Sequence, residues 1–269
     1  MMQPQNSISF VQISDTHIGP DAAFELRGFR TAERAAQVID KIAGLPFKPS
    51  FVIHTGDVVA DPDERSYRLA RQTFARLEEL GIPVRYVTGN HDAAKDLRPL
   101  LSPSGIDNLS YDPDFLTYAF SVQGHRFIVL DAKPSGTAWR GALAEHQFEF
   151  LAQEIAAAPN SLTVFLHYPS RELNVPWIDE RMLLQNGLRL HQMLKELPPG
   201  TVRGVFSGHI HCAASVVEDA ILYQSAPATS MSFRVHPNQL GIAVATDPTP
   251  MFSVVSFQQG RTIVTHHQG

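Results

Sequence analysis

The sequence predicts an α/β fold arranged as a four-layer α/β/β/α sandwich, two mixed sheets packed face to face and flanked by helices. Three observations predict it. Short apolar runs alternate with longer amphipathic segments through the first two-thirds of the chain, the pattern of strands joined by right-handed helical crossovers. After Cys212 the pattern changes to short strands with no helix between them. The 269 residues suffice for one large domain with its own core. The expectation is a single domain over 1–269, with 213–269 forming mainly the second sheet.

In order, Ile8–Ser14 reads as a strand and Gly28–Ala43 as a helix with Phe29, Ala32, Ala36 and Ile39 on one side. Phe51–Thr55 is a second buried strand. Glu64–Leu80 repeats the helical period and stops at Gly81-Ile82-Pro83. Val84–Thr88 is a third strand, which favours a mostly parallel sheet. Ala93–Phe115, rich in Pro, Asp, Ser and Gly, reads as surface loop with short helical turns. Leu116–Val122 and Arg126–Asp131 form a hairpin closed at Gln123-Gly124. Helices over Glu145–Ala158 and Glu180–Leu197 alternate with strands at Leu162–Leu166 and Val202–Phe206. The tail supplies strands at Ala213–Val217, Ile221–Gln224, Gly241–Thr246, Phe252–Gln258 and Thr262–His266.

Composition narrows the function classes. The 22 Lys+Arg against 27 Asp+Glu give a net charge of −5, which argues against a general binder of nucleic-acid polymers. One cysteine, Cys212, allows no intrachain disulfide and suits a reducing compartment. No signal peptide and no membrane-spanning run is seen, so the expected location is cytoplasmic.

Five apolar runs each end in residues that bind metals. Ser14-Asp15-Thr16-His17 follows the first strand, Gly56-Asp57 the second and Gly89-Asn90-His91-Asp92 the third. His167-Tyr168-Pro169 follows Leu162–Leu166, and Gly208-His209-Ile210-His211 follows Val202–Phe206. Ligands of open α/β sheets bind outside the carboxyl ends of the strands, so these loops should converge on one rim. In Asp15-x-His17 and His209-x-His211, residues two apart on extended backbone point to the same side. Gly56, Gly89 and Gly208 permit tight turning beside a ligand. Carboxylate, amide and imidazole donors without thiolate suit Mn, Fe or Zn. Taken singly, Asp15 or Asp57 reads as a helix cap and His167 as a bonded interior histidine. The ensemble decides for metal.

Asp-x-His, Gly-Asp, Gly-Asn-His-Asp, His-x-Pro and Gly-His-x-His, in that order, resemble the motif series of calcineurin-like metallophosphoesterases. More narrowly, the chain looks like bacterial class III cyclic-nucleotide phosphodiesterases and the related glycerophosphodiesterases. The resemblance runs from Asp15 to His211 and implies two divalent metal ions. Asp15, His17 and His211 would hold one and Asn90, His167 and His209 the other, with Asp57 bridging and His91 directed at the substrate phosphate. Many relatives carry His-His-Pro-Pro where this chain has His167-Tyr168-Pro169-Ser170, which leaves His167 as the ligand.

The expected chemistry is hydrolysis of small phosphodiesters, 3′,5′-cyclic nucleotides or glycerophosphodiesters. The metals would lower the pKa of a bound water so that it attacks phosphorus, while His91 donates a proton or stabilises charge. Alternatives on the same scaffold are a phosphomonoesterase, a nucleotide pyrophosphatase or a non-catalytic interaction module; a nuclease fits poorly with the acidic balance. The second ester arm is assigned to a pocket built by Ala93–Leu116 and Ser170–Trp177. His54 reads as a core residue or as a partner behind the ligands, Asp92 and Asp131 as loop supports, and Arg171 as surface. His125, His146, His191, His266 and His267 are expected at the surface, with His236 near the rim. Strand edges in the tail leave a homo-oligomer possible, and no membrane partner is expected.

Overall fold

A strand covered on both faces has no solvent-facing side, so its sequence reads as a continuous apolar run. The computed structural model, which describes residues 7–101, 105–110, 112–136, 139–157, 160–246 and 248–269, places such runs at the centre of two sheets. It opens with β1 (Ile8–Ile13), a short ribbon of β2 (Glu25–Leu26) and β3 (Phe29–Arg30), and α1 (Thr31–Ala43). Next come β4 (Val52–His54), α2 (Glu64–Glu79) and β5 (Val84–Tyr86), with β1, β4 and β5 as parallel neighbours. Helix α2 starts where Asp63 accepts hydrogen bonds from the Arg65 and Ser66 amides at 2.9 and 3.2 Å.

The chain continues through α3 (Ala94–Leu97), a 3₁₀ turn (Arg98–Leu100), β6 (Ile106–Leu109), β7 (Tyr118–Val122) and β8 (His125–Val129). A ribbon of β9 (Lys133–Pro134) and β10 (Gly141–Ala142) precedes α4 (Glu145–Ala156) and β11 (Leu162–Phe165). Then follow α5 (Pro176–Arg181), α6 (Gly187–Lys195), β12 (Val202–Ser207), β13 (Ala214–Glu218), β14 (Ile221–Ser225), β15 (Met251–Gln258) and β16 (Arg261–Gln268). One sheet has the order β16-β15-β1-β4-β5, the other β13-β14-β12-β11-β8-β7-β6, and both mix parallel and antiparallel pairs.

Between the sheets lies an aromatic layer. Phe10 stacks on Phe51 at 5.0 Å and meets Phe127, Phe165, Phe206 and Phe257 edge-on at 5.6–5.8 Å. Val38, Ile39 and Ile42 of α1 with Phe74 and Leu77 of α2 belong to this core from the five-stranded side. On the other side, Phe148 and Leu151 of α4 and Leu190 and Leu194 of α6 pack with Ile128 and Val164. The four layers expected from the sequence are present.

Several expectations need correcting. The tail does not build the second sheet. β13 and β14 extend the seven-stranded sheet at one edge, while β15 and β16 extend the five-stranded one. β15 pairs antiparallel with β1, from Ile8↔Phe257 to Gln12↔Ser253, which satisfies an otherwise open edge and carries Phe257 into the aromatic layer. The helix read over Glu180–Leu197 is broken into α5 and α6, because the amides of Leu184 and Gln185 bond the carbonyls of Pro169 and Gly141 instead of a preceding turn. Gly241–Thr246 is irregular, with one bridge between Phe233 and Val244. The Ala93–Phe115 region contains β6, a polar edge strand with little apolar signal. Ala158, the last residue of the helix read from Glu145, lies outside the described residues.

Candidate metal centre

The parallel strands β1, β4, β5, β11 and β12 all deliver their carboxyl ends to one rim, and each is followed there by a residue picked out from the sequence. Two groups of metal-binding side chains result. Asp15, His17, Asp57 and His211 form one and Asp57, His167 and His209 the other, all buried, with the ligand atoms in each group within 4.8 Å of one another. Asn90 joins the second group, its Oδ1 lying 3.1 Å from His167 Nε2. Asp57 belongs to both: its Oδ2 lies 3.6 Å from His17 Nε2 and 3.4 Å from His167 Nε2. Two buried Asp/His clusters sharing a carboxylate are consistent with a dinuclear metal site.

The backbone there is not the extended chain assumed from the Asp-x-His and His-x-His spacings. Asp15, His17, Asp57, His209 and His211 all have positive φ, between 45° and 70°. This region is costly for residues with a Cβ and marks strained functional sites. The preceding glycines give way to this geometry. A Cβ on Gly208 would stand 1.9 Å from Ser14 Oγ and 2.9 Å from Asp15 Oδ2, and one on Gly89 would stand 2.1 Å from Asp57 Oδ1.

Hydrogen bonds behind the rings orient the imidazoles. His167 Nδ1 donates to the Thr55 carbonyl at 2.8 Å, His209 Nε2 to that of Trp139 at 2.7 Å, and His211 Nδ1 to that of Met231 at 2.9 Å. A carbonyl only accepts, so each ring carries its proton on that side and turns the other nitrogen inward. His167 Nε2 and His209 Nδ1 then face one another at 3.0 Å. Two bare lone pairs repel at that distance, so the pair needs either a proton on His167 Nε2 or a metal ion between them. Burial opposes charge on His167, but the Asp57 and Asp15 carboxylates and the Thr55 carbonyl push its pKa up to about 9. Burial, reinforced by that neighbouring charge, drives His209 down to about 3, and burial holds His17 well below the usual histidine range. Burial raises Asp15, whereas for Asp57 burial is outweighed by His167 and His17, which hold its carboxyl well below the usual range. The donor set therefore fits a divalent metal: inward lone pairs, a stable carboxylate and a preference for positive charge at the centre.

A shell of supporting contacts surrounds the ligands. Asp92 accepts the amides of Val58, Val59 and Gly89 at 2.9–3.2 Å, the loop-supporting role read from the sequence. Asp131 accepts from the Leu116 amide at 2.7 Å and from Lys133 at 2.9 Å. His54 is buried behind the site, bonded to Thr16 Oγ1 at 2.9 Å, so it supports the loop between Asp15 and His17. Arg171 is held by Glu218 at 2.6 and 2.8 Å. His236 is exposed and does not line the cavity described next, and Cys212 Sγ donates to the neighbouring Ala213 carbonyl.

Over the clusters opens a cavity of about 340 Å³. Its walls differ from the expected ones: no described residue of Ala93–Leu116 or Ser170–Trp177 lines it. Phe24, Leu26 and Arg27 come from the β2–β3 ribbon, Trp139 from the β9–β10 connection, Met182 from the break between α5 and α6, and Phe233 and Ile242 from the irregular segment before β15. His17, Asp57, Asn90, His91, His209 and His211 form the polar remainder with Ala60, Asp61 and Met231. These wall residues carry no motif of their own, and Gly28-Phe29-Arg30, read as the first residues of a helix, belong instead to the β2–β3 ribbon. Tyr168, where many relatives have histidine, is fully buried and packs against the His167 and His209 rings at 5.1 and 4.6 Å.

Known proteins agree with this geometry. The profile of the calcineurin-like phosphoesterase family matches residues 8–213. The 3′,5′-cyclic adenosine monophosphate phosphodiesterase CpdA of Haemophilus influenzae is 26% identical over 230 residues, 84% of this chain and 78% of that protein. The glycerophosphodiester phosphodiesterase GpdQ of Enterobacter lignolyticus is 30% identical over 201 residues, 74% of this chain and 69% of that protein. Among solved structures, a dimetal phosphatase from Danio rerio superposes with a TM-score of 0.72 at 16% identity, covering 97% of this chain and 96% of that one. With two metal-binding clusters on the rim of a two-sheet sandwich and the family profile spanning most of its length, the chain belongs to the calcineurin-like phosphoesterases.

Proposed function

We propose that the protein is a phosphodiesterase that hydrolyses small phosphodiesters, 3′,5′-cyclic nucleotides or glycerophosphodiesters, with two divalent ions, Mn or Fe, or else Zn. The observation that carries this reading is the pair of clusters sharing Asp57 at the floor of a cavity whose walls are largely apolar. A diester brings a second organic arm along with its phosphate, and such walls suit that arm. The named relatives act on cyclic nucleotides and glycerophosphodiesters, which supports the same classes here.

In this reading Asp15, His17 and His211 hold one ion, Asn90, His167 and His209 the other, and Asp57 both. When bound, the ions would activate a water at neutral pH and clamp the phosphoryl oxygens. Asp57 Oδ1 accepts the His91 amide at 2.9 Å, tying the catalytic loop to the shared carboxylate. His91 Nδ1 donates to the Ala60 carbonyl at 2.7 Å, which fixes the ring and leaves Nε2 as the atom available to substrate. His91, exposed on the cavity wall, acts in its doubly protonated form: Nδ1–H stays on the Ala60 carbonyl while the second proton passes from Nε2 to the departing alkoxide.

Kinetics on cyclic AMP, glycerophosphocholine, bis-p-nitrophenyl phosphate and p-nitrophenyl phosphate, with protein loaded separately with Mn and Fe, test the reading. Turnover of the monoester alone would replace it with a phosphomonoesterase. His91→Asn tests the proton donor: kcat for esters with an alkoxide leaving group should fall about 10²-fold or more, and for p-nitrophenolate less than about tenfold. Equal losses on both would make His91 a stabiliser of phosphoryl charge instead.

A further inference from the structure

Among the described residues, the cavity over the two clusters is lined by one arginine and no lysine, and that arginine occupies a position ill suited to it. β2 and β3 pair only with each other, in the register Glu25↔Arg30 and Leu26↔Phe29, so Arg27 and Gly28 make up the entire turn. Their φ values are +50° and +85°. A two-residue turn with positive φ at both positions matches strand twist and favours Asn, Asp or Gly at its first position. An arginine there takes on the left-handed penalty of a residue with a Cβ, for which local structure offers no return.

Among the described residues, no acid forms an ion pair with Arg27. Glu25, on the same ribbon, pairs across it with Arg30 at 3.5 Å. Asp61 also lines the cavity, yet no ion pair joins it to Arg27 among the described residues. The side chain is exposed and lines the same cavity as His91, Asn90 and Asp57.

We propose that Arg27 is a positioning residue for the substrate: its guanidinium binds the negatively charged oxygens of the phosphoester seated over the metal-binding clusters. The fork of a guanidinium matches two phosphoryl oxygens, and its charge draws an anion into a cavity whose remaining walls are mostly apolar. This rests on the phosphodiesterase reading above. Because Arg27 contacts the anion before and during reaction alike, it acts on substrate binding rather than on turnover.

Arg27→Asn and Arg27→Lys in the full-length, metal-loaded protein test this, with steady-state kinetics on bis-p-nitrophenyl phosphate and a thermal melt. Asparagine suits the turn, so a merely structural role predicts an equal or higher Tm and unchanged kinetics. The expected result is an unchanged or higher Tm, a KM raised about five- to tenfold and a kcat within about twofold. Arg27→Lys, which keeps the charge but loses the fork, should raise KM less than asparagine does. A KM unmoved by asparagine, or lost equally with lysine, overturns the proposal. If the wild type cleaves only monoesters, the phosphodiesterase reading falls, and the same comparison on p-nitrophenyl phosphate still decides Arg27.

Discussion

Histidines are buried at both ends of the sandwich, and their partners differ. At the rim, His167 and His209 turn ring nitrogens toward one another at 3.0 Å, and each ring is held in that pose by a backbone carbonyl on its far side. At the opposite end, His125 begins β8 next to the Gln123-Gly124 turn, and its two nitrogens meet the hydroxyls of Ser161 at 2.7 Å and Thr163 at 2.9 Å. A hydroxyl donates or accepts as required, so His125 is satisfied as a neutral ring with no help from a ligand. The rim imidazoles lack such adaptable partners. Backbone conformation follows the same division. Positive φ at Gln123 and Gly124 closes a hairpin, whereas at Asp15, His17, Asp57, His209 and His211 it reverses no strand and serves only to gather ligands. One end is satisfied as it stands; the other gathers Asp and His side chains in two clusters that could hold metal ions.

The largest effect should come from removing the group the two rim clusters share. Asp57→Ala should abolish stoichiometric binding at both metal positions, measured by elemental analysis, and lower kcat at least about 10³-fold. Retention of one tightly held ion with substantial activity would show that the clusters do not depend on a common carboxylate.

A contrast between glycines comes next. Gly208→Ala would press its methyl group onto Ser14 and Asp15, and should cost about 2 kcal/mol or more together with metal affinity. At Gly124, where φ is +78° and no atom lies within 4 Å of a new Cβ, alanine should cost about 1 kcal/mol and leave activity unchanged. Denaturant melts with metal titration separate the two. Equal losses of metal affinity would erase the distinction between the ends.

The smallest expected effect concerns protons. Burial drives His125 to about 3. Its folded pKa lies below the unfolded value, so its neutral state contributes fully above about pH 6.5, and that contribution is lost as pH falls toward 3. For this residue alone the loss is about 2 kcal/mol by pH 5. His125→Gln should lower stability at pH 7 but flatten its decline between pH 7 and 5, measured by urea midpoints. An unaltered slope would mean that His125 is not buried as a neutral ring.

Much of this molecule was legible from residue order alone. β1, β4, β5, β11 and β12 are apolar runs that need no partner information to be recognised; the strand-end rule brings the loops after them to one rim, and the resemblance of their motifs to a known family singles out residues within those loops. Hence Asp15, His17, Asp57, Asn90, His167, His209 and His211 could be named before their geometry was known. The sequence puts His125 in a hairpin turn and His191 on an amphipathic helix, both at the surface, because neither setting gives a sign of partners elsewhere in the chain. His191 is in fact buried, with Tyr223 and Asp219 at 2.7 and 3.1 Å.

By itself the sequence determined the layered architecture and the identity of the seven rim residues, since periodicity and short motifs are local properties. Tertiary structure alone decided which sheet each tail strand joins, that the gathered ligands sit on left-handed backbone, and that the β2–β3 ribbon and the stretch around Phe233 wall the cavity. Those features depend on edges and surfaces made by residues far apart in the chain, and no window along the sequence contains both partners.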